Sequence, residues 1–440
     1  MICPSCANEV GQNDKFCQHC GTNLTMEKPI MKENVDTNNN LTCPNCNENV
    51  QSNDKFCINC GFKLNESMQY SSNETYNHSH QHIEREVANN TNITEEAKNL
   101  FNNTTKSIGR LAGNDEILKL NLRDMFSQVF KFHSKHESDD VFIAGTQSTT
   151  PHITEVSEEW GKPWVFSRVF ISLLITFIGL WFLAKMFGNE NSIPGMIFIG
   201  ALIVPISGVI FFFESNAFRN ISFFEVLKMF FVGGVFSLIS TLVLYQFVSF
   251  SDDLEIYGIM TTGDAFLIGL VEEIGKAIIV VLFINYQRTN KILNGILIGA
   301  SIGAGFAVFE TAGYILNLSF MSDQTVDLNV MIEIIISRGW SALGGHLVWA
   351  AIIGAAVVIV KNTSQFTWSN ILDKRFLFFF FISVVLHFIW DAPITFLGSY
   401  NLKLIILIVI AWIFIFILMK SGLTQVNVLQ KEYIENKEKQ

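Results

Sequence analysis

From Trp164 onward the chain runs through eight apolar stretches, about 164–187, 193–213, 223–249, 265–285, 292–318, 330–360, 376–398 and 402–419. Most reach the roughly 20 residues that a helix needs to cross a hydrocarbon core. In lipid every backbone N–H and C=O must be paired internally, and these stretches are too long for barrel strands. The expected fold class is therefore an all-α polytopic membrane bundle of about eight transmembrane helices. The sixth stretch is long enough to tilt, bend or begin as a re-entrant piece. Composition agrees, because only 16% of residues are charged and 49% are hydrophobic, including 40 phenylalanines, whereas soluble domains carry about 25% charged residues.

Lys and Arg alternate from side to side along this region. Arg219 and Lys228, Arg288 and Lys291, Lys361, Lys374 and Arg375, and Lys420, Lys431, Lys437 and Lys439 share one side; Lys185 and Lys403 occupy the other. Cytoplasmic loops retain the cations, so a multi-pass protein of the cell membrane with both termini in the cytoplasm is expected. The net charge of -10 and the lack of a basic patch argue against nucleic acid as a partner.

All eight cysteines lie in the first 60 residues, inside a repeat. Residues 1–24 and 41–64 match at 12 of 24 positions, with Asn-Asp-Lys-Phe-Cys at 13–17 and 53–57. Each copy holds two Cys-x-x-Cys pairs, Cys3/Cys6 with Cys17/Cys20 and Cys43/Cys46 with Cys57/Cys60. Four thiolates on two such turns suit tetrahedral Zn²⁺, and a segment this short needs a metal to fold. The start lacks the basic and apolar regions of a signal peptide, and a reducing cytosol favours metal-bound thiolates over disulfides. Two small N-terminal zinc ribbons are expected, each with one structural Zn²⁺ and no open coordination position. A cytosolic protein that docks on them is the corresponding partner.

Residues 65–163 read as a largely disordered tether, because 65–110 are polar and cannot offset the entropy of ordering. His78, His80 and His82 sit in that solvated tract and read as inert. Apolar residues spaced between Glu116 and His133 suggest a short juxtamembrane amphipathic helix. The membrane domain then covers 164–420, and 421–440 form a cytoplasmic tail.

Ionisable groups inside the spans demand a reason, since each costs at least about 2.5–3.5 kcal/mol near the bilayer centre. The fourth stretch holds Glu272, Glu273 and Lys276, the fifth Glu310, the sixth Arg338 and His346, and the seventh His387 and Asp391. Counting at about 1.5 Å per residue from the outer ends puts Glu272, Glu310, His387 and Asp391 at a common depth of roughly 10–16 Å. His346 joins that layer if the membrane-normal part of its helix begins near Arg338. Gly299, Gly303 and Glu310 share a helical face, so the carboxylate should point into the bundle. His387 with Asp391, and Glu272 with Lys276, are i,i+4 pairs, so an acid can orient an imidazole and a cation can neutralise an acidic pair. Adjacent Glu272 and Glu273 should not both face one point. Buried ion pairs that fix helix register are the plainer reading, but eight ionisable groups on four consecutive spans are expensive for that purpose alone. A polar reaction centre with a general base explains them better.

Glu272-Glu273-Ile-Gly-Lys276, Phe306-Ala-Val-Phe-Glu310, Arg338 followed by Gly345-His346-Leu-Val-Trp349, and His387-Phe-Ile-Trp390-Asp391 resemble, in that order, the motifs of PrsW-type glutamic intramembrane proteases, relatives of the CAAX prenyl endopeptidases. The likeness covers about residues 165–420. In CAAX enzymes the position of Glu310 is typically His, so the glutamate favours the PrsW branch. The resemblance implies hydrolysis of a peptide bond in a membrane-anchored protein, an anti-sigma factor being the best-known kind. It implies that Glu272 or Glu273 activates water, that His346 and His387 stabilise the oxyanion or move protons, and that Glu310 completes the site. Asp391 would orient His387, Lys276 would tune the acidic pair and Arg338 would be supporting. The zinc ribbons lie outside the minimal pattern and suggest regulation or docking.

Two other readings compete. A metal-dependent membrane hydrolase could use Glu and His as ligands, although no His-Glu-x-x-His pair is present. A proton-coupled transporter or a non-enzymatic zinc-ribbon sensor could also bury Glu and His, but no inverted repeat of broken helices is visible.

Overall fold

The computed structural model describes residues 81–319, 327–361 and 364–438, with side chains from 95 to 318 and through the two later segments. In the head it describes Cys3, Glu9, Cys17, Leu41, Thr42, Asn49, Val50, Cys57 and Asn59. The chain divides into two compact units, 1–91 and 92–440. In the first, strands β1 (Leu41–Thr42) and β2 (Asn49–Val50) pair antiparallel, Leu41 with Val50 and Thr42 with Asn49. This ladder brackets the segment that carries Cys43 and Cys46. Cys3, Cys17 and Cys57 are buried; the other five cysteines lie outside the described residues.

Helix α1 (Gln81–Leu111) leads into the second unit, where short helices α2 (Leu122–Met125) and α3 (Lys135–Phe142) precede the first long apolar helix, α4 (Val165–Phe187). Then follow α5 (Ile193–Glu214), α6 (Phe223–Lys228), α7 (Gly234–Tyr245), α8 (Asp252–Tyr257), α9 (Thr262–Gln287) and α10 (Ile292–Ser319). The chain ends with α11 (Leu328–Ser341), α12 (His346–Lys361), α13 (Trp368–Ile371), α14 (Lys374–Asp391) and α15 (Tyr400–Glu438). A wide turn at Met229–Gly233 fuses α6 and α7 into one span. Six of the described helical segments are long and apolar enough to cross a membrane. Helices α9 and α14 would bring the number to the expected eight, but their charged residues leave neither with an apolar stretch of 18 residues holding two charges or fewer.

Two expectations are corrected. Residues 95–163 are not a free tether: Thr105, Ala112, Met125, Ala144 and Val156 are buried, and the segment is tied to the bundle. Gln430 donates to the carbonyls of Ile153 and Val156 at 3.0 and 2.9 Å, and Asn427 to Glu158 at 2.9 Å. Lys420 lies 2.8 Å from Glu116 and holds that carboxyl below its ordinary range. These partners sit on α15, which runs well past the expected end at 419. The amphipathic helix sought between Glu116 and His133 is reduced to the single turn of α2. Its apolar residues pack individually, as Leu120 and Phe126 do, instead of forming one helical face.

Helix α10 is the central post. It packs on α12 through Gly295, Gly299 and Gly303, where an added Cβ would collide with the carbonyls of Gly354, Ala350 and His346 respectively. Gly305 does the same against Phe230 on the other side. Small residues let helix backbones approach closely when lipid offers no hydrophobic driving force. Helices α11 and α12 are separate, joined by a tight turn at Ala342–Gly344, so the long sixth stretch does break inside the membrane region. Glu214, at the end of α5, closes the start of α4 by accepting the N–H groups of Trp164, Val165 and Phe166, each at 2.9 Å. Replacing Gly299 with Leu should overpack this contact and destabilise the bundle by about 1–3 kcal/mol or more, read as a lower thermal midpoint in detergent; an unchanged midpoint would show that α10 and α12 can separate freely.

Candidate active site

Each polar side chain reaches the site by a local rule of the backbone. A capping box, in which Thr261 Oγ1 accepts the Asp264 N–H at 3.2 Å and Asp264 accepts the Thr261 N–H at 3.2 Å, starts α9. Glu272 thus lies about 12 Å along the helix from Asp264. Gly269 leaves room for α14, since a Cβ there would come within 3.1 Å of the Phe388 nitrogen and 3.5 Å of His387 Cβ. The break after α11 makes His346 the first residue of α12, where its backbone carbonyl lies against Gly303.

The eight residues expected from the sequence meet in one network. Glu273 Oε1 accepts from Lys276 Nζ at 2.6 Å and from His387 Nδ1 at 2.8 Å. Lys276 Nζ also donates to His346 Nδ1 at 2.7 Å, and His346 Nε2 donates to Glu310 Oε2 at 3.0 Å. That pattern gives His346 a single tautomer, with its proton on Nε2. Arg338 holds the same Glu310 oxygen at 2.6 Å and donates from Nε to Thr311 at 3.0 Å. On the far side of the His387 ring, Nε2 faces Asp391 Oδ2 at 3.2 Å and Glu272 Oε2 at 3.7 Å. Glu273 and Lys276 are wholly buried, whereas the side chains of Glu310, Asp391 and Arg338 are 16%, 26% and 30% exposed. The network therefore runs from a wholly enclosed interior to a more open mouth formed by those three groups.

Two details differ from the expectation. Both adjacent glutamates do reach one point, because His387 lies between them and presents a different nitrogen to each. Glu273 consequently shares with Asp391 the task of fixing the His387 ring. Sequence reasoning also missed Tyr245, whose hydroxyl donates to Glu272 Oε1 at 2.8 Å. A tyrosine near the end of a span is ordinary in an interfacial aromatic belt, so its type alone gave no signal. No local pattern pointed to it; in the structure Gly275 permits the approach, since a Cβ there would strike Thr241 one turn from Tyr245. Trp349 was quoted only as part of a motif; its ring stacks on His387 at 4.4 Å and walls the site.

Two carboxylate oxygens of the network, Glu273 Oε2 and Glu272 Oε2, are buried without a hydrogen-bond partner among the described residues. Of these, Glu272 Oε2 faces three nitrogens. Around it lie His387 Nε2 at 3.7 Å and both His346 Nδ1 and Lys276 Nζ at 3.9 Å. A buried carboxylate oxygen left open is costly, and these spacings leave room for one small shared group.

Glu272, His346 and His387 can each bring a ligand atom within 4.8 Å of the others, and Glu with two His is a donor set that zinc accepts. The arrangement nevertheless does not fit a resident ion, because the His346 Nδ1 lone pair that would face it already accepts from Lys276, while Nε2 is turned to Glu310. An ammonium group occupies the neighbourhood in which a metal's charge would lie.

Comparison with known proteins gives two matches. Residues 224–419 match the model of the PrsW family intramembrane metalloprotease, and residues 3–61 match that of the double zinc ribbon. No curated protein and no solved structure matches the chain. The first match contains all eight polar residues and Tyr245, and the second contains all eight cysteines, as the sequence motifs imply. Residues 224–419 are therefore similar to PrsW family intramembrane metalloproteases and residues 3–61 to double zinc ribbons, in a chain with several helices long and apolar enough to cross a membrane.

Proposed function

We propose that this protein is an endopeptidase that hydrolyses a peptide bond of a membrane-anchored protein with water activated by Glu272. The open Oε2 of Glu272, facing His387, His346 and Lys276, carries this reading. Water placed there gives its proton to Glu272 as its oxygen attacks the scissile carbonyl carbon. His387 and Lys276 supply positive charge and N–H donors for the oxygen that becomes anionic. Collapse of the tetrahedral species breaks the C–N bond, and the proton held by Glu272 passes to the departing amine. Glu273 is the weaker candidate for base: its Oε2 is also unpartnered, but its side chain is wholly enclosed and its Oε1 is held by both Lys276 and His387. It positions His387 instead. Glu310 and Arg338 hold His346 in place, and Asp391 lies beside His387 at the more open side.

The cysteines of the head, Cys3, Cys6, Cys17, Cys20, Cys43, Cys46, Cys57 and Cys60, are assigned as ligands of two structural zinc ions, and the head as a docking or regulatory module on the cytoplasmic side. Eight spans with both termini on that side complete the reading.

A second reading is a catalytic metal on Glu272, His346 and His387, favoured by the clustering of those three donors and by the metalloprotease description of the matched family. When bound, such a metal would polarise the carbonyl and acidify water. It requires Lys276 to withdraw from His346. Elemental analysis of the purified full chain separates the two: two zinc ions per chain in both the wild type and His346→Ala support the glutamate reading, whereas three in the wild type and two in the variant support the metal.

Co-expression with single-span membrane proteins tests the activity. Glu272→Gln should reduce fragment formation by about 10²–10⁴-fold, the range for loss of a general base, and unchanged fragments would remove Glu272 from the reaction. Tyr245→Phe should lower kcat about tenfold with KM nearly constant, as expected for one hydrogen bond to a charged group. A change confined to KM would place Tyr245 in substrate binding instead.

A further inference from the structure

The segment between α2 and α3 carries two aromatic rings left uncovered among the described residues. Phe130 and Phe132 are 95% and 96% exposed, although the backbone that bears them is firmly held. Arg168, in the first turn of α4, donates to the Lys131 carbonyl at 2.8 Å. The His133 ring stacks on Trp164 at 3.7 Å and bonds the Gln128 carbonyl at 3.0 Å. Phe126 packs edge-on against Phe166 at 6.0 Å, and Met125 is buried. The exposed rings are thus displayed by a braced loop, not by a loose one.

The bracing also fixes their level. Trp164, Phe166 and Arg168 begin α4, and only 11% of the apolar window of that helix is buried within the bundle. Its outward side chains, such as Ile171, Ile175 and Ile178, face lipid. The loop is consequently continuous with a lipid-facing surface, at the end where that surface meets the headgroups. Its sequence fits the same place: from Met125 to Lys135 there is no acidic residue, exposed Lys131 lies between the two phenylalanines, and exposed Lys135 follows them. Aromatic rings with neighbouring cations are the composition that settles at a bilayer interface and favours anionic lipid.

We propose that Phe130 and Phe132 insert into the bilayer interface beside α4, with Lys131 and Lys135 against anionic phospholipid headgroups. The loop would then be a second membrane anchor, fixing the packed 95–163 segment to the membrane surface. This inference is independent of the peptidase chemistry.

The test places the photo-crosslinking residue p-benzoylphenylalanine singly at 130, 132, 175 and 435 of the full chain. The variants are reconstituted in vesicles of equal parts phosphatidylcholine and phosphatidylglycerol, and adducts are read by mass spectrometry. Position 175 is the lipid-facing reference, and position 435, on the exposed end of α15, is the aqueous one. Phospholipid adducts at 130 and 132 should match those at 175, exceed those at 435 many-fold, and be enriched in phosphatidylglycerol. Yields at both loop positions no higher than at 435, or adducts only to peptides of the chain itself, would overturn the anchor. Equal capture of the two lipids would overturn the role of the lysines.

Discussion

Charged groups in this bundle are tolerable only as a set. Glu273 is enclosed without exposure, and so is Lys276; separated, either would be a bare charge in a medium that solvates it poorly. Their contact at 2.6 Å, extended by His387 on one side and by His346, Glu310 and Arg338 on the other, spreads the charge over five helices. The need to pair these charges constrains where α9, α10, α11, α12 and α14 must stand. Glu272 and Glu273 each keep one buried oxygen without a hydrogen-bond partner. Tyr245 satisfies the other oxygen of Glu272, whose open Oε2 lies among three nitrogens and is the atom assigned to chemistry.

Close packing makes that network reachable. Side chains as short as Glu and His can meet only if helix backbones approach, and glycines at 269, 275, 299 and 303 remove the Cβ atoms that would prevent it. Breaking the sixth stretch has a parallel effect. A continuous helix through 328–361 would have carried Arg338 and His346 on one rod, whereas the turn at Ala342–Gly344 lets His346 start a new helix beside Gly303. Packing and electrostatics therefore support each other, and each explains residues that the other leaves unexplained.

Membership of the polar centre was readable because ionisable residues are rare in apolar runs, so Glu272, Glu273, Lys276, Glu310, Arg338, His346, His387 and Asp391 identified themselves. Their pairing was not readable. The i,i+4 rule linked Lys276 to Glu272, yet the shorter contact is i,i+3 to Glu273, because His387 draws Glu273 inward from a helix more than a hundred residues away. Tyr245 stayed hidden for a related reason: its importance comes from the neighbour it meets, not from its own type. In the 95–163 segment, polar composition suggested disorder, but the partners that order it sit on α15.

By itself the sequence determined the class of fold, the positions of the first six apolar spans to within a few residues and the duplicated cysteine frame, since lipid and metal impose strict rules on length, polarity and ligand count. Only the tertiary structure decided which carboxylate oxygens are left open, which nitrogen each imidazole turns to which acid, and that the loop of Phe130 and Phe132 is braced against α4. Those choices depend on how closely separate helices approach one another, and a local pattern of residues carries no measure of that distance.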